Sequence, residues 1–300
     1  MSTDLSASFD EQYININTKL KKRFMRKPNV SEATNEFVGL AIQCEHSEQP
    51  AFAGQTYVGA AKCEALAGNY LGEADQYLAA ARQFIKAEQK LLALRFYSPD
   101  RENLEAAIGC YMQALSKYPE KSLIRTSILM ELANNLLSLN HKLEAVAYCE
   151  QALDTVRDSA MKLMYSRNLL NLLIDCGKFD TAFHLANTIY DSNTSIPEEV
   201  LSEIQLSRVL LALLVEPDEG SKPESLKQLF TNLMNDVECD AIPFNTDLRL
   251  KLQSIIICNA NSDLQSLISV AVDTKQFLTT QQAEMLQALI SEERNEHFNS

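Results

Sequence analysis

The stretch that decides the fold spans residues 107–119 and reads AIGCYMQALSKYP. Ala107 and Ala114 are separated by two helical turns, and Tyr111 lies between them. On a helix this spacing places all three side chains on one face. Two helices approach to about 8–10 Å only where small side chains meet, so the alanines predict a close helix–helix contact. Pro119 follows at a point where the helix has ended.

Weaker copies of this pattern occur before and after it in the chain. Two of them keep the same helical spacing: Ala74, Leu78 and Ala81, and Ala145, Cys149 and Ala152. Gly177, Phe179, Ala182 and Ala186 instead form the G-x-F-x-x-A entry to a second helix. The order of alanine, aromatic residue, small residue and proline is that of the tetratricopeptide repeat, a helical hairpin of about 34 residues. The separation between copies varies, so we interpret the repeats as degenerate. Chance recurrence of alanine in an alanine-rich helical protein is the alternative.

The composition favours helices along the whole chain. Only 8 glycines and 8 prolines occur among 300 residues, and apolar side chains recur with a period of about 3.6 residues between the prolines, as in residues 124–139 and 206–213. We therefore predict an all-α superhelix of antiparallel helical hairpins, each covering the apolar face of the next.

The predicted repeats and the N-terminal helix occupy residues 1–196. Residues 197–300 are predicted to continue or cap the same solenoid. The helices expected in that part span residues 198–215, 224–235, 246–258, 264–272 and 280–293.

The chain is acidic, with 40 acidic against 27 basic residues and a formal net charge of -13. This balance argues against a nucleic-acid partner, because phosphates are neutralised by Lys and Arg. Seven scattered cysteines without a C-x-x-C pair suit a reducing compartment. No signal peptide is recognisable at the start, and no apolar run is long enough to cross a bilayer. We expect a cytoplasmic protein without a transmembrane segment.

Sequence motifs of catalysis are not found. The chain contains no phosphate-binding glycine loop, no G-x-S-x-G nucleophile elbow and no H-E-x-x-H zinc motif. Cys44 and His46 lack further metal ligands at useful spacing. We therefore expect a protein that is not an enzyme, has no catalytic or metal-binding residues and no cofactor, and acts by binding another protein.

A basic segment near the N-terminus stands apart from the acidic remainder, because no acidic residue occurs from position 12 to position 31. Tyr13, Ile16, Leu20 and Phe24 fall at helical spacing, which predicts an amphipathic helix that ends before Pro28. Three interpretations remain open: a first solenoid helix with a solvated face, a docking element for an acidic protein or anionic membrane, and a nuclear-import signal. The candidate partner-binding residues are Lys21, Lys22, Arg23, Phe24, Arg26 and Lys27.

The string KLKKRFMRKPNV at residues 19–30 resembles the N-terminal sequence of the 40-kDa huntingtin-associated protein family, also called the factor VIII intron 22 protein family. Two shorter matches follow in the same order, SRVLL at residues 207–211 before Pro217, and LQS at residues 252–254 before Leu278, Thr279 and Gln282. The chain lacks the long insertion rich in proline and alanine of the vertebrate form. Any role of that insertion therefore does not carry over.

The resemblance implies a tetratricopeptide-like superhelix similar to the soluble NSF attachment proteins. It also implies a scaffold that forms a heterodimer with huntingtin, lies between that partner's HEAT-repeat domains, stabilises it and links it to Rab5-positive early endosomes. A vesicle-trafficking adaptor that acts at membranes without huntingtin is the alternative. The expected location is the cytoplasm with early-endosome association, and the nuclear-import interpretation of the basic segment adds the nucleus.

Overall fold

The computed structural model describes residues 3–21, 29–192, 195–235 and 243–299. Every regular element in this described part is helical, which confirms the predicted all-α fold. The chain divides into two compact units, Met1–Thr155 and Val156–Ser300.

Within its described residues, the first unit is a succession of α-helices. They are α1 (Thr3–Lys21), α2 (Val30–His46), α3 (Pro50–Ala67), α4 (Tyr70–Ala93), α5 (Glu102–Leu115), α6 (Leu123–Ser138) and α7 (Lys142–Thr155). Helix α3 packs against α2 and α4, α4 also packs against α5, and α6 pairs with α7. Lys90, near the end of α4, donates to the carbonyl oxygen of Glu48 at 2.8 Å. Because Glu48 lies in the turn before α3, α3 and α4 run antiparallel.

Polar side chains determine where several helices begin. The side-chain oxygen of Asn29 accepts a hydrogen bond from the backbone N–H of Glu32 at 3.2 Å. The side-chain amide of Asn29 donates to the Glu32 carboxylate at 3.0 Å. The side chains that cap later helices in the same way are Asn69, Ser122, Asp158, Asn245 and Asp263. Each cap satisfies a backbone N–H that has no partner within the first turn.

The predicted alanine anchors all lie in the interior. All eight are fully buried, namely Ala74, Ala81, Ala107, Ala114, Ala145, Ala152, Ala182 and Ala186. Glycines serve the same purpose in α3, where Gly54 faces the ring of Phe84 in α4 and Gly59 faces the ring of Phe37 in α2. A Cβ atom at Gly59 would lie 2.9 Å from the Phe37 ring, so α3 reaches its neighbour because no side chain intervenes. The assignment of these contacts to tetratricopeptide repeats stays a prediction.

Tyr111, the aromatic residue of the deciding stretch, is fully buried and connects three helices. Its hydroxyl donates to Glu131 Oε1 in α6 at 2.8 Å and accepts a hydrogen bond from Asn135 Nδ2 at 3.0 Å. Arg82 in α4 donates to both oxygens of Glu131, at 2.7 and 2.8 Å. The Tyr111 ring fills the space between the helices, and the Glu131 carboxylate accepts the hydrogen bond of its hydroxyl. The network therefore fixes the relative positions of α4, α5 and α6.

The described residues of the second unit form a further set of helices. They are α8 (Ser159–Asp175), α9 (Phe179–Ser192), α10 (Glu198–Val215), α11 (Glu224–Met234), α12 (Thr246–Ala260), α13 (Leu264–Thr274), a 3-10 helix (Lys275–Phe277) and α14 (Thr280–Asn299). Helix α10 is buried without interruption over residues 204–212. Gln282 in α14 donates to the Glu203 carbonyl at 3.1 Å and to the Ser207 hydroxyl at 3.2 Å, which ties the last helix to α10.

The helices predicted for residues 198–300 are all present, and the last continues past its predicted end at residue 293. The predicted apolar stripe of α6 is buried apart from Ile124, which is exposed in the first turn. The boundary predicted between residues 196 and 197 concerns where the repeat pattern fades, and it stays a prediction. Among the described helices, none has both the length and the apolar character that a membrane crossing requires.

Candidate protein-interaction surfaces

The predicted partner-binding residues fall almost entirely where the structure gives no description. Lys21 is the last residue of α1, and only its backbone is described. The others lie outside the described residues: Lys22, Arg23, Phe24, Arg26 and Lys27. Their role in partner binding therefore stays a prediction, and the structure bears on it through the packing of α1.

The apolar stripe of α1 faces the interior of the first unit. Phe9 and Ile16 are buried, and Tyr13 packs partly buried against the same cluster of α2 and α3 side chains. The ring centroid of Phe9 lies 4.6 Å from that of Phe52 in α3, and the centroid of Tyr13 lies 5.5 Å from that of Phe37 in α2. Since these side chains are used inside the protein, the described part of α1 supports the interpretation of a packed helix with a solvated opposite face.

Lys19, at the start of the basic run, pairs with Glu36 of α2, with Nζ 2.6 Å from Oε1. Both side chains are partly in water, where such a pair contributes about 0–1 kcal/mol. A groove of about 410 Å³ borders this pair, between α1 and α2. Gly39 keeps the groove open, because no atom lies within 4 Å of the position that its Cβ would take.

A second groove, of about 460 Å³, lies in the second unit between the first turns of α8 and α10. Its apolar lining includes Leu163, Met164 and Val200. Arg167 lines the groove and is bound by Glu203, with Nε 2.9 Å from Oε1. A partly exposed methionine in a groove is typical of surfaces that adapt to a protein partner.

In the described part of the chain, the loop between α4 and α5 carries three exposed large apolar side chains within four consecutive residues. We call residues 94–97, LRFY, the aromatic segment. Leu94 is 78% exposed, Phe96 60% and Tyr97 74%. Large apolar side chains grouped in water mark interaction sites more often than single ones do. This loop is therefore a candidate docking surface.

Hydrogen bonds fix the main chain at the start of the aromatic segment and again at Arg101, beyond its end. The Phe96 N–H donates to the Leu91 carbonyl at 2.9 Å, across Arg95, whose φ of 55° is left-handed. This is the hydrogen bond that closes a helix end. Four residues beyond the segment, the Arg101 N–H donates to the Ser98 carbonyl at 3.3 Å, and the Arg101 guanidinium reaches Glu144 of α7 at 2.8 Å. The exposed rings are therefore carried on a main chain that is fixed on both sides.

The turn between α3 and α4 has a second, smaller apolar group. Leu66, Tyr70 and Leu71 are each largely exposed there. Asn69 caps α4 between them through the N–H of Gly72, at 3.1 Å. Tyr70 is the only aromatic residue of this group, and no arginine lies in the turn. The aromatic segment therefore resembles a binding hot spot more closely than this turn does.

The thiol groups of the first unit are shielded from solvent. Burial raises the pKa of Cys110 and of Cys149 to about 11. These thiols are therefore protonated near neutral pH and are poor nucleophiles. In the described part of the chain, no group of three or more His, Cys, Asp or Glu side chains is arranged to hold a metal ion.

Similarity to known proteins bears on the resemblance predicted from residues 19–30. No protein-family model matches the chain. It is 27% identical over 151 residues to a protein of Rattus norvegicus and, to the same extent, to one of Mus musculus. Both are 40-kDa huntingtin-associated proteins. The chain is similar to them. The predicted resemblance is thus confirmed over 49% of this chain, whereas the match spans only 39% of the length of each huntingtin-associated protein.

The aromatic segment was not among the residues predicted from the sequence. Leu94, Phe96 and Tyr97 continue the apolar content of α4, so they look like its last core turn. The available signal was Pro99, which requires the helix to have ended before it. Leu94, Phe96 and Tyr97 precede this proline, so they lie in the loop after α4, where they are exposed.

Proposed function

We propose that this protein is a non-catalytic scaffold that binds huntingtin. The observation that carries the proposal is the 27% identity over 151 residues to proteins named for their association with huntingtin. The exposed aromatic segment and the groove between α8 and α10 support a protein-binding role, since both offer apolar surface to a partner. The predicted absence of catalytic motifs agrees with such a role.

The resemblance supports a more detailed proposal. The complex would be a heterodimer in which this chain lies between the HEAT-repeat domains of huntingtin and stabilises it. The complex would work in the cytoplasm and associate with Rab5-positive early endosomes, and the basic segment would allow entry into the nucleus. The acidic composition makes nucleic acid an unsuitable partner.

The test is co-expression of the full chain with huntingtin, purification through a tag on this chain, and measurement of the mass of the product in solution. We expect a complex of one copy of each protein. Recovery of this chain alone, with huntingtin well expressed and folded in the same cells, would contradict the proposal.

The basic segment gives a second arm to that experiment. Reversal of Lys21, Lys22 and Arg26 to glutamate should weaken the complex more in low salt than in high salt, because exposed charges are screened by ions. A variant that reverses Lys86, an exposed lysine of α4, is the matched control. If both variants bind huntingtin with equal affinity at every salt concentration, the basic segment is only a solvated helix face and does not take part in binding.

The alternative of a membrane adaptor without huntingtin has less support. A membrane-binding helix inserts its apolar face into the lipid, whereas Phe9 and Ile16 of α1 are already buried inside the protein. Flotation of the full chain with anionic and with neutral vesicles separates the two functions. Binding that requires anionic lipid would favour the adaptor, and its absence would remove it.

A further inference from the structure

The basic residues on either side of the aromatic segment form ion pairs, whereas the one inside it does not pair with any described residue. Lys90 is occupied by Glu48, with Nζ 3.2 Å from Oε2, and Arg101 is occupied by Glu144 and Glu105. Arg95 lies between them, is exposed, and has no ion pair with any residue that the structure describes. One free guanidinium is thus placed between Leu94 and the two exposed rings.

This combination is what a binding hot spot contains. Tyrosine, phenylalanine and arginine are enriched at the centres of protein interfaces, where rings fill apolar pockets and the guanidinium pairs with a carboxylate. The fixed main chain lowers the cost of binding, because little backbone freedom is left to lose.

We propose that the aromatic segment, Leu94, Arg95, Phe96 and Tyr97, is a docking surface for an acidic amphipathic segment of a partner protein. The rings and Leu94 contact the apolar side chains of that segment, and Arg95 pairs with one of its carboxylates. This proposal rests on the proposed function in one respect, namely that the partner carrying the segment is huntingtin. The chemistry of the surface follows from the exposed side chains and the free charge alone.

The first experiment tests the chemistry of the surface with defined probes. The full chain is titrated with a synthetic amphipathic helix that has a leucine face flanked by glutamates, and with the same helix carrying lysines in their place. We expect tighter binding of the acidic peptide, and Arg95→Glu should reverse the preference. Arg157→Glu, at an exposed arginine of the second unit, should leave it unchanged. Equal binding, or no binding, of both peptides to the unaltered chain would overturn the proposal.

The second experiment tests the rings in the complex with huntingtin. The double variant Phe96→Ser and Tyr97→Ser should weaken the affinity by about tenfold or more, as loss of hot-spot aromatics does. The matched control is Tyr70→Ser with Leu71→Ser, two exposed residues in the first turn of α4. The thermal midpoints of both double variants should equal that of the unaltered chain, since all four side chains are exposed.

The outcomes separate the two proposals. If huntingtin binds the unaltered chain and the Phe96/Tyr97 variant equally, the docking surface is wrong while the proposed function stands. If the peptides bind as expected but huntingtin does not co-purify, the docking surface stands and the partner is wrong. If mixing shows instead that the rings hold two copies of this chain together, the surface is a homodimer contact and the proposal of an acidic partner is overturned.

Discussion

The guanidinium carbon of Arg208 lies 4.3 Å from the ring centroid of Tyr190, and Arg208 has no exposed surface. Its Nε donates to Asn187 at 2.8 Å, and its two terminal nitrogens donate to Gln205 and Ser225, each at 2.7 Å. Three neutral oxygens and one aromatic face therefore surround a charge in the centre of the second unit. This arrangement joins α9, α10 and α11.

The nearest carboxylate in this network acts through a hydroxyl. Ser225 accepts from Arg208 and donates to Asp191 at 2.7 Å. Loss of water by burial lowers the pKa of Arg208 to about 10, and Asp191 partly opposes that shift. At neutral pH the arginine remains charged, so the unit contains a buried cation that depends on all of its acceptors.

Replacement of Arg208 by methionine should destabilise the second unit by about 3 kcal/mol or more, because the buried oxygens of Asn187 and Gln205 and the partly buried hydroxyl of Ser225 lose this donor. Arg208→Lys should cost less, since an ammonium keeps part of the hydrogen bonding. Urea unfolding followed by circular dichroism measures both. The control is Arg157→Met, at an exposed arginine, which should change stability by less than about 0.5 kcal/mol. Equal midpoints for Arg208→Met and Arg157→Met would show that the network is not important for stability.

Arg208 also shows where prediction from sequence stops. In the sequence it interrupts an apolar helix and looks like the point at which that helix turns towards water. Asn187 and Ser225, which satisfy it, lie on two other helices, and no local pattern indicates that they meet. Ala107 and Tyr111 could be predicted, because close packing and helical spacing are properties of the segment itself. The aromatic segment could not, since exposure depends on which neighbouring helices cover a loop.

The first unit should lose stability as the pH rises above about 10. Burial raises the pKa of Tyr111 well above its ordinary value, and Glu131 contributes to the shift. The unfolded chain therefore ionises this phenol at a pH where the folded chain keeps it protonated. For one such group the free energy of unfolding falls by up to about 1.4 kcal/mol per pH unit above that point, and the contribution is fully present below it.

Urea midpoints measured from pH 8 to pH 11 would test this dependence. Tyr111→Phe should lower the midpoint at neutral pH, because Asn135 and Glu131 lose a partner, and should also reduce the slope above about pH 10. Tyr70→Phe, at an exposed tyrosine, should retain the slope of the unaltered chain. A slope that is the same in Tyr111→Phe and in the unaltered chain would mean that Tyr111 does not cause the alkaline loss.

Two glycine-to-alanine substitutions should change stability in opposite directions. Gly109 lies inside α5, is exposed, and has no atom within 4 Å of its Cβ position, so Gly109→Ala should stabilise by about 0.5–1 kcal/mol. Gly59→Ala would place a methyl group 2.9 Å from the buried ring of Phe37 and should cost about 1–3 kcal/mol. Thermal midpoints of the two variants give the signs directly. Stabilisation by Gly59→Ala would show that α2 and α3 can separate without loss of packing.

The cysteines should react with iodoacetamide in two classes. Burial raises the pKa of Cys110 and Cys149 and keeps reagent away from them, whereas Cys176 and Cys258 are only partly buried. At mildly alkaline pH, these two partly buried thiols should be labelled before Cys110 and Cys149. Peptide mass spectrometry at successive times gives the order, and labelling in denaturant shows that every thiol can react. Early labelling of Cys110 or Cys149 in the native protein would reveal that α5 or α7 opens readily, because neither thiol is accessible while its helix remains packed.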